Sequence, residues 1–216
     1  MEGAGRDSGS GRRASVALAT CLAAAAVMLL TNCGPRSVRD DSAEAGFARD
    51  MATHHAQAAE MALIVRDVAV DERLRTLAVD IMLTQTTQRG VFMGWLQQWN
   101  LPQASSQPRM AWMREHDHAA SGSQAGAGSA PERMMGMATA EELARLRAAR
   151  GVDAEVLFLQ LMIRHHEGGV MMAKAILPQS TREEVVAMAR SIDESQAAEI
   201  AAMTEMLAER GAKPLS

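Results

Sequence analysis

Two adjacent histidines stand in the middle of an apolar run at residues 158–177, FLQLMIRHHEGGVMMAKAIL, with methionines on both sides. The same arrangement occurs 111 residues earlier, at 47–66, FARDMATHHAQAAEMALIVR. Phe47, Met51, His54, His55, Met61 and Ala62 align without a gap on Phe158, Met162, His165, His166, Met172 and Ala173. The register continues through Ala78, Ile81, Gln85 and Leu96 onto Ala189, Ile192, Gln196 and Leu207, so the chain is an internal duplication. Most other positions differ between the copies, which leaves Met and His among the few features both keep. Imidazole and thioether together suit copper, Cu(I) above all, because soft sulfur discriminates against magnesium, calcium and manganese.

With about 100° between successive helical residues, Met51, His55, Ala58 and Ala62 share one narrow stripe, with His54 and Met61 on its shoulder and Glu44 two turns earlier. The second copy repeats this with Glu155, Met162, His166, Gly169 and Ala173, flanked by His165 and Met172. Two such stripes facing each other would gather four imidazoles and four thioethers. Adjacent residues cannot both aim at one centre, so one histidine of each pair is expected to act as an outer partner. A di-iron carboxylate centre would need Glu-x-x-His on facing helices; here the spacing is Met51-x-x-His54 and Met162-x-x-His165. Iron therefore ranks below copper. Zinc could use the imidazoles with Glu44 or Glu155 as carboxylate, but leaves the methionines unexplained. The remaining histidines, His116 and His118, fall with Met110 and Met113 in a third cluster, followed by Met134, Met135 and Met137, a Met/His tract able to capture a metal ion. Against all this stands a plainer reading in which the methionines fill the core and the histidines fix packing.

The elements that must position these residues are helical. Ala and Met abound, aromatics make up 3% and Tyr is absent, a composition that favours helices. A helix is predicted from Asp41 or Ser42 to Arg66, and a second from the N-cap Asp71 to about Asn100, where NLP brings a proline. Residues 101–138, rich in Gly, Ser, Ala and Gln, read as a mobile connection. A short helix opens at Thr139, with Glu142 at capping-box spacing. The second repeat runs from Asp153 to Leu177 and breaks at Pro178; Ser180 and Glu183 form another capping box for a last helix reaching Gly211. Gln85 and Gln196 are expected to hydrogen-bond inside, and Arg164 and Glu167 to be solvated. The sum is an all-α four-helix bundle over residues 43–210, built from two duplicated hairpins (43–100 and 153–210) with a long crossover.

Residues 1–32 form a targeting segment outside the fold. Arg12 and Arg13 precede the uncharged ASVALATCLAAAAVMLL, which ends in LTNC and resembles a bacterial lipoprotein signal with Cys33 as the lipidated residue. Residues 33–42 then form a tether. An uncleaved N-terminal membrane anchor is the alternative. Either way the body lies outside the cytoplasm, in the cell envelope. Cys21 is inside the signal, so the mature chain has no disulfide or free thiol, and methionine is its one soft ligand. A net charge of −4 offers no basic face to nucleic acid. The expected partners are a metal ion and, through the lipid, the membrane, with assembly into a homo-oligomer left open. No nucleophile and base are paired and no phosphate loop is present, which disfavours an enzyme.

The doubled M-x-x-H-H-x(5)-M-A pattern, the FLQLMIRHHEGG block and SIDESQAAEIAAM near the end resemble the bacterial family called domain of unknown function 305, over residues 43–210. The resemblance implies a ferritin-like four-helix bundle, often exported, with copper binding and tolerance in some members. It marks Met51, His54, His55, Met61, Met162, His165, His166 and Met172 as the metal positions. The chain departs from the family with Ala154-Glu155, Gly168-Gly169 and Thr87-Gln88-Arg89. A copper buffer or chaperone is the reading that follows; a helical interaction module and a ferritin-like oxidase are the alternatives.

Overall fold

The computed structural model describes residues 37–105, 107–113 and 134–215, so the signal segment with Cys33, and His116 and His118, lie outside the described residues. Among the described residues five helices follow in order: α1 (Ala43–Val68), α2 (Glu72–Gln98), α3 (Ala140–Ala148), α4 (Gly151–Ile176) and α5 (Glu183–Glu209). No strand occurs among the described residues. The helix starts follow local chemistry. Ser42 accepts from Ala45 N and Asp71 from Arg73 N, and Thr139 and Glu142 close the capping box expected of α3.

One start differs from expectation. The N-cap of α5 is Arg182, without a side-chain cap. Ser180 does accept from Arg182 N, but its hydroxyl donates to Glu44 Oε1 of α1, 3.0 Å away. Its geometry is therefore set by the facing hairpin rather than by α5.

The three-residue turn 69–71 folds α2 back on α1, and the segment 177–182 does the same for α5 on α4. The hairpins pack through α1 and α4, which run antiparallel: Phe47, Met51 and Ala52 share an apolar cluster with Met172, Ala173 and Ile176. At the other end Met61, Ala62 and Val65 pack with Phe158, Leu159 and Met162. The result is the ferritin-like arrangement of two duplicated hairpins.

The two ends of the crossover are docked on α1 rather than free. Asp50, 7% exposed, accepts from Met110 N and from Trp112 Nε1, each at 2.9 Å, and Trp112 packs edge-on against Phe47. One turn on, His54 meets the carbonyl of Met135, and after another turn Gln57 pairs with the backbone of Ala138 in both directions. Positions 50, 54 and 57 share one helix face, so polar groups on α1 draw in a segment whose composition alone suggests mobility. Arg164 belongs to the same arrangement. It forms a two-pronged pair with Glu142 of α3, where solvation was expected.

Candidate metal centre

His54 and His55 from α1 and His165 and His166 from α4 meet between the two apolar clusters, all four fully buried. The 100° step divides each pair. His54 and His165 face each other across the α1–α4 interface with ring centroids 3.6 Å apart and planes inclined by 29°. His55 and His166 turn toward the outer helices, where His55 Nε2 donates to Gln88 Oε1 of α2 at 2.8 Å and His166 Nε2 donates to Glu199 Oε2 of α5 at 2.6 Å. The narrow stripe thus places His55 and His166 beside the hairpin partner, and the shoulder residues His54 and His165 make the contact between repeats.

These hydrogen bonds select a tautomer. A carbonyl, an amide oxygen and a carboxylate can only accept, so His54, His55 and His166 each carry the proton on Nε2. In a neutral ring Nδ1 is then a lone pair, and the Nδ1 of none of the three has a hydrogen-bond partner. His165 has no partner at either nitrogen. Burial, reinforced by the neighbouring ring, holds His54 and His165 well below the usual histidine range. Burial likewise pushes His55 down to about 3, against the opposing hydrogen bond that it donates to Gln88. His54, His55 and His165 are therefore neutral, and each offers a nitrogen without a partner in a dry interior. Buried polar atoms are almost always paired, which makes this concentration informative.

The thioethers lie on both sides of the imidazoles. Met51 and Met172 belong to one flanking cluster and Met61 and Met162 to the other, all four fully buried. Antiparallel α1 and α4 dictate this split, since Met51 precedes its histidines and Met172 follows them. Among the described residues no three His, Cys, Asp or Glu side chains converge as a preformed metal site. Imidazole and thioether are donors that suit a soft ion, and among the described residues no zinc or di-iron cage of His, Cys, Asp or Glu is formed.

Glu44 and Glu155, equivalent under the duplication, are held elsewhere. Glu155 accepts from Val70 N, Asp71 N and Arg210, and Glu44 from Ser180, so each carboxylate secures the turn of the opposite hairpin. Met113 packs beside the Met51 cluster, half-buried.

Sequence reasoning missed Gln88, Glu199 and the Met135 carbonyl. A signal existed for the first two: each follows its histidine by 33 residues and Gln85 or Gln196 by three, hence shares a face with them. Gln85 and Gln196, expected to hydrogen-bond, are 2% exposed with both amide atoms unpartnered. A Cβ added to Gly169 would stand 2.2 Å from Gln196 Oε1, so glycine leaves room for that amide beside His166. The Met135 contact needs Gly136 in the left-handed region (φ 74°) and Gly168 beneath it, where a Cβ would meet the Met135 carbonyl oxygen at 2.2 Å.

Similar structures place this architecture. A DUF305 protein from Streptomyces coelicolor, designated a secreted protein, is 47% identical, with 82% of this chain and 99% of that one covered and a TM-score of 0.73. A DUF305 fragment from Deinococcus radiodurans is 33% identical, covering 81% and 99%, with a TM-score of 0.63. CopM in its Cu(I)-bound form is 24% identical over 78% of this chain and 96% of that one, with a TM-score of 0.58, a likeness of fold. None of the curated proteins matches. The family model described as Domain of unknown function (DUF305) matches residues 44–207, and with those two relatives it shows that the chain belongs to the DUF305 family.

Proposed function

We propose that this protein binds copper, Cu(I) in preference, through the histidines and methionines of the bundle, and serves as a copper buffer or chaperone in the cell envelope. The observation that carries this reading is the set of four buried imidazoles whose Nδ1 atoms have no partner, flanked by four buried methionines. A packing role alone would favour rings with both nitrogens satisfied. The CopM structures, in Cu(I)-, Cu(II)- and silver-bound forms, support binding of copper and silver ions on this fold. His54 and His165 are the central pair, His55 and His166 the flanking donors, and Met51, Met61, Met162 and Met172 the sulfur ligands on either side. The copper is cargo: it enters and leaves as the soft donors exchange.

Replacing His54, His55, His165 and His166 together by Ala is expected to weaken Cu(I) binding by more than the roughly 100-fold that loss of an outer partner costs. Competition titration of the variant and the parent measures this. Unchanged binding would move the function to the Met/His tract around His116 and His118, and no binding by the parent would leave the histidines as packing residues.

Localisation follows from the signal segment and accords with the secreted designation of the Streptomyces relative. No helix among the described residues is long and apolar enough to cross a membrane. We assign the attachment to a lipid on Cys33. Cys33→Ser should therefore shift the chain out of the membrane fraction; a chain that stays there with its leader intact would establish the uncleaved anchor instead.

A further inference from the structure

The duplication is broken at one contact beside the imidazoles. Positions 88 and 199 are equivalent under the 111-residue offset, and both accept from a central imidazole Nε2. The first repeat supplies an uncharged amide, Gln88, and the second a carboxylate, Glu199. Glu199 is partly exposed, its side chain at 20%, while the His166 it holds is at 0%. Its charge thus stays in contact with solvent while acting on a ring in the dry interior. Among the described residues it is the one carboxylate bonded to any of the four imidazoles. The other acidic groups near the central helices are engaged elsewhere: Asp50 with Met110 and Trp112, Glu155 with Arg210 and the turn at Val70, and Glu44 with Ser180.

A cation entering this interior meets imidazoles and thioethers, donor groups that bring no negative charge of their own. An uncompensated charge in a low-dielectric interior is costly, so fixed charges touching the ligands limit how much cationic charge the site accepts. Here there is one such charge. We propose, resting on the metal-binding reading above, that Glu199 is the charge-matching residue of the bundle: through His166 it fits the interior to one monovalent soft cation, and Gln88 withholds the second carboxylate that a divalent ion or a second ion would require. Glu199 acts by polarising the Nε2–H bond of His166, which strengthens Nδ1 as a donor, and by balancing the charge of the ion. Gln88 holds His55 in the same tautomer and adds no charge. Both are positioning residues, and neither touches the ion.

The test compares the parent, Glu199→Gln and Gln88→Glu as full chains in mild detergent. Ag(I) and Cu(I) are the monovalent probes and Zn(II) the divalent one, with imidazole ¹⁵N spectra recorded on the metal-free proteins. The parent should bind one Ag(I) in the bundle. Glu199→Gln should weaken Ag(I) and Cu(I) by roughly 10–100-fold with the Nε2–H signature of His166 retained, because an amide oxygen still accepts. Gln88→Glu should gain Zn(II) binding or a second Ag(I). Parental affinity in Glu199→Gln, or loss of the Nε2–H signature along with affinity, would overturn the assignment. If Glu199→Gln does not fold, Gln88→Glu decides, and a variant without gain counts against it. Binding by the parent that survives loss of all four histidines would instead defeat the metal-site reading itself.

Discussion

Moving from pH 7.5 to pH 5 should remove a large part of this protein's stability through its buried histidines. His54 and His165 are held well below their ordinary value of 6.5 and His55 near 3, all by burial. In the folded state these rings stay neutral, whereas in the unfolded chain they take up protons as the pH falls through about 6.5. The unfolded state then binds more protons, so stability drops with falling pH by about 1.4 kcal/mol per unit for each ring. At pH 5 His55 alone has lost roughly 2 kcal/mol, and His54 and His165 add to the loss in the same direction, a substantial part of the stability of a typical domain. For His55 the loss continues down to about pH 3. Urea midpoints at pH 7.5, 6 and 5 measure the effect, and a midpoint that holds constant over this range would contradict the neutral-imidazole centre. Bound Cu(I) should flatten the curve, since it stabilises the same neutral form.

Removing Glu155 should cost about 3–5 kcal/mol, the range for breaking a buried ion pair. Its carboxylate is 1% exposed and accepts from Val70 N at 2.7 Å, Asp71 N at 2.8 Å and Arg210 Nε at 2.9 Å. Glu155→Ala leaves two backbone donors and Arg210 Nε without an acceptor and removes the charge paired with a buried guanidinium, whose Nη1 keeps the Met206 carbonyl and whose Nη2 keeps Asp71 Oδ2. The equivalent change Glu44→Ala breaks one hydroxyl bond, to Ser180, and should cost about 1 kcal/mol. Chemical denaturation of both variants separates the two sites; equal losses would mean that the Arg210 cluster contributes nothing special. Neither change should lower metal affinity, because neither carboxylate touches an imidazole.

Helix number and order, and boundaries to within a few residues, were legible because periodicity marks the helices and the starts of α1, α2 and α3 carry their own capping chemistry, while α4 and α5 start without a side-chain cap. Asp71, Thr139 and Ser42 cap as their side chains predict. Ser180 is the exception, and the cause is not local: its hydroxyl is bonded to a residue 136 positions away. The docked crossover was illegible for the same reason. Gly, Ser and Ala give residues 101–138 no pattern of their own, and the groups that hold its ends, Asp50, His54 and Gln57, belong to another helix. The unpartnered Gln85 and Gln196 could not be foreseen, since composition does not tell whether a buried amide finds an acceptor.

The duplicated sequence by itself determined that four histidines and four methionines would enter one helical core, because helical periodicity and burial of apolar faces leave them no other place. It did not determine which rings would meet. Adjacent histidines point 100° apart, and rotation of α1 and α4 against α2 and α5 decides which member of each pair faces inward. Only the tertiary structure, through the Gln88 and Glu199 acceptors and the Met135 carbonyl, put His54 against His165, oriented the three flanking protons and left the Nδ1 lone pairs unpartnered. Hydrogen bonds between residues 33 and 81 positions apart depend on how helices pack, and packing is a property of the assembled bundle.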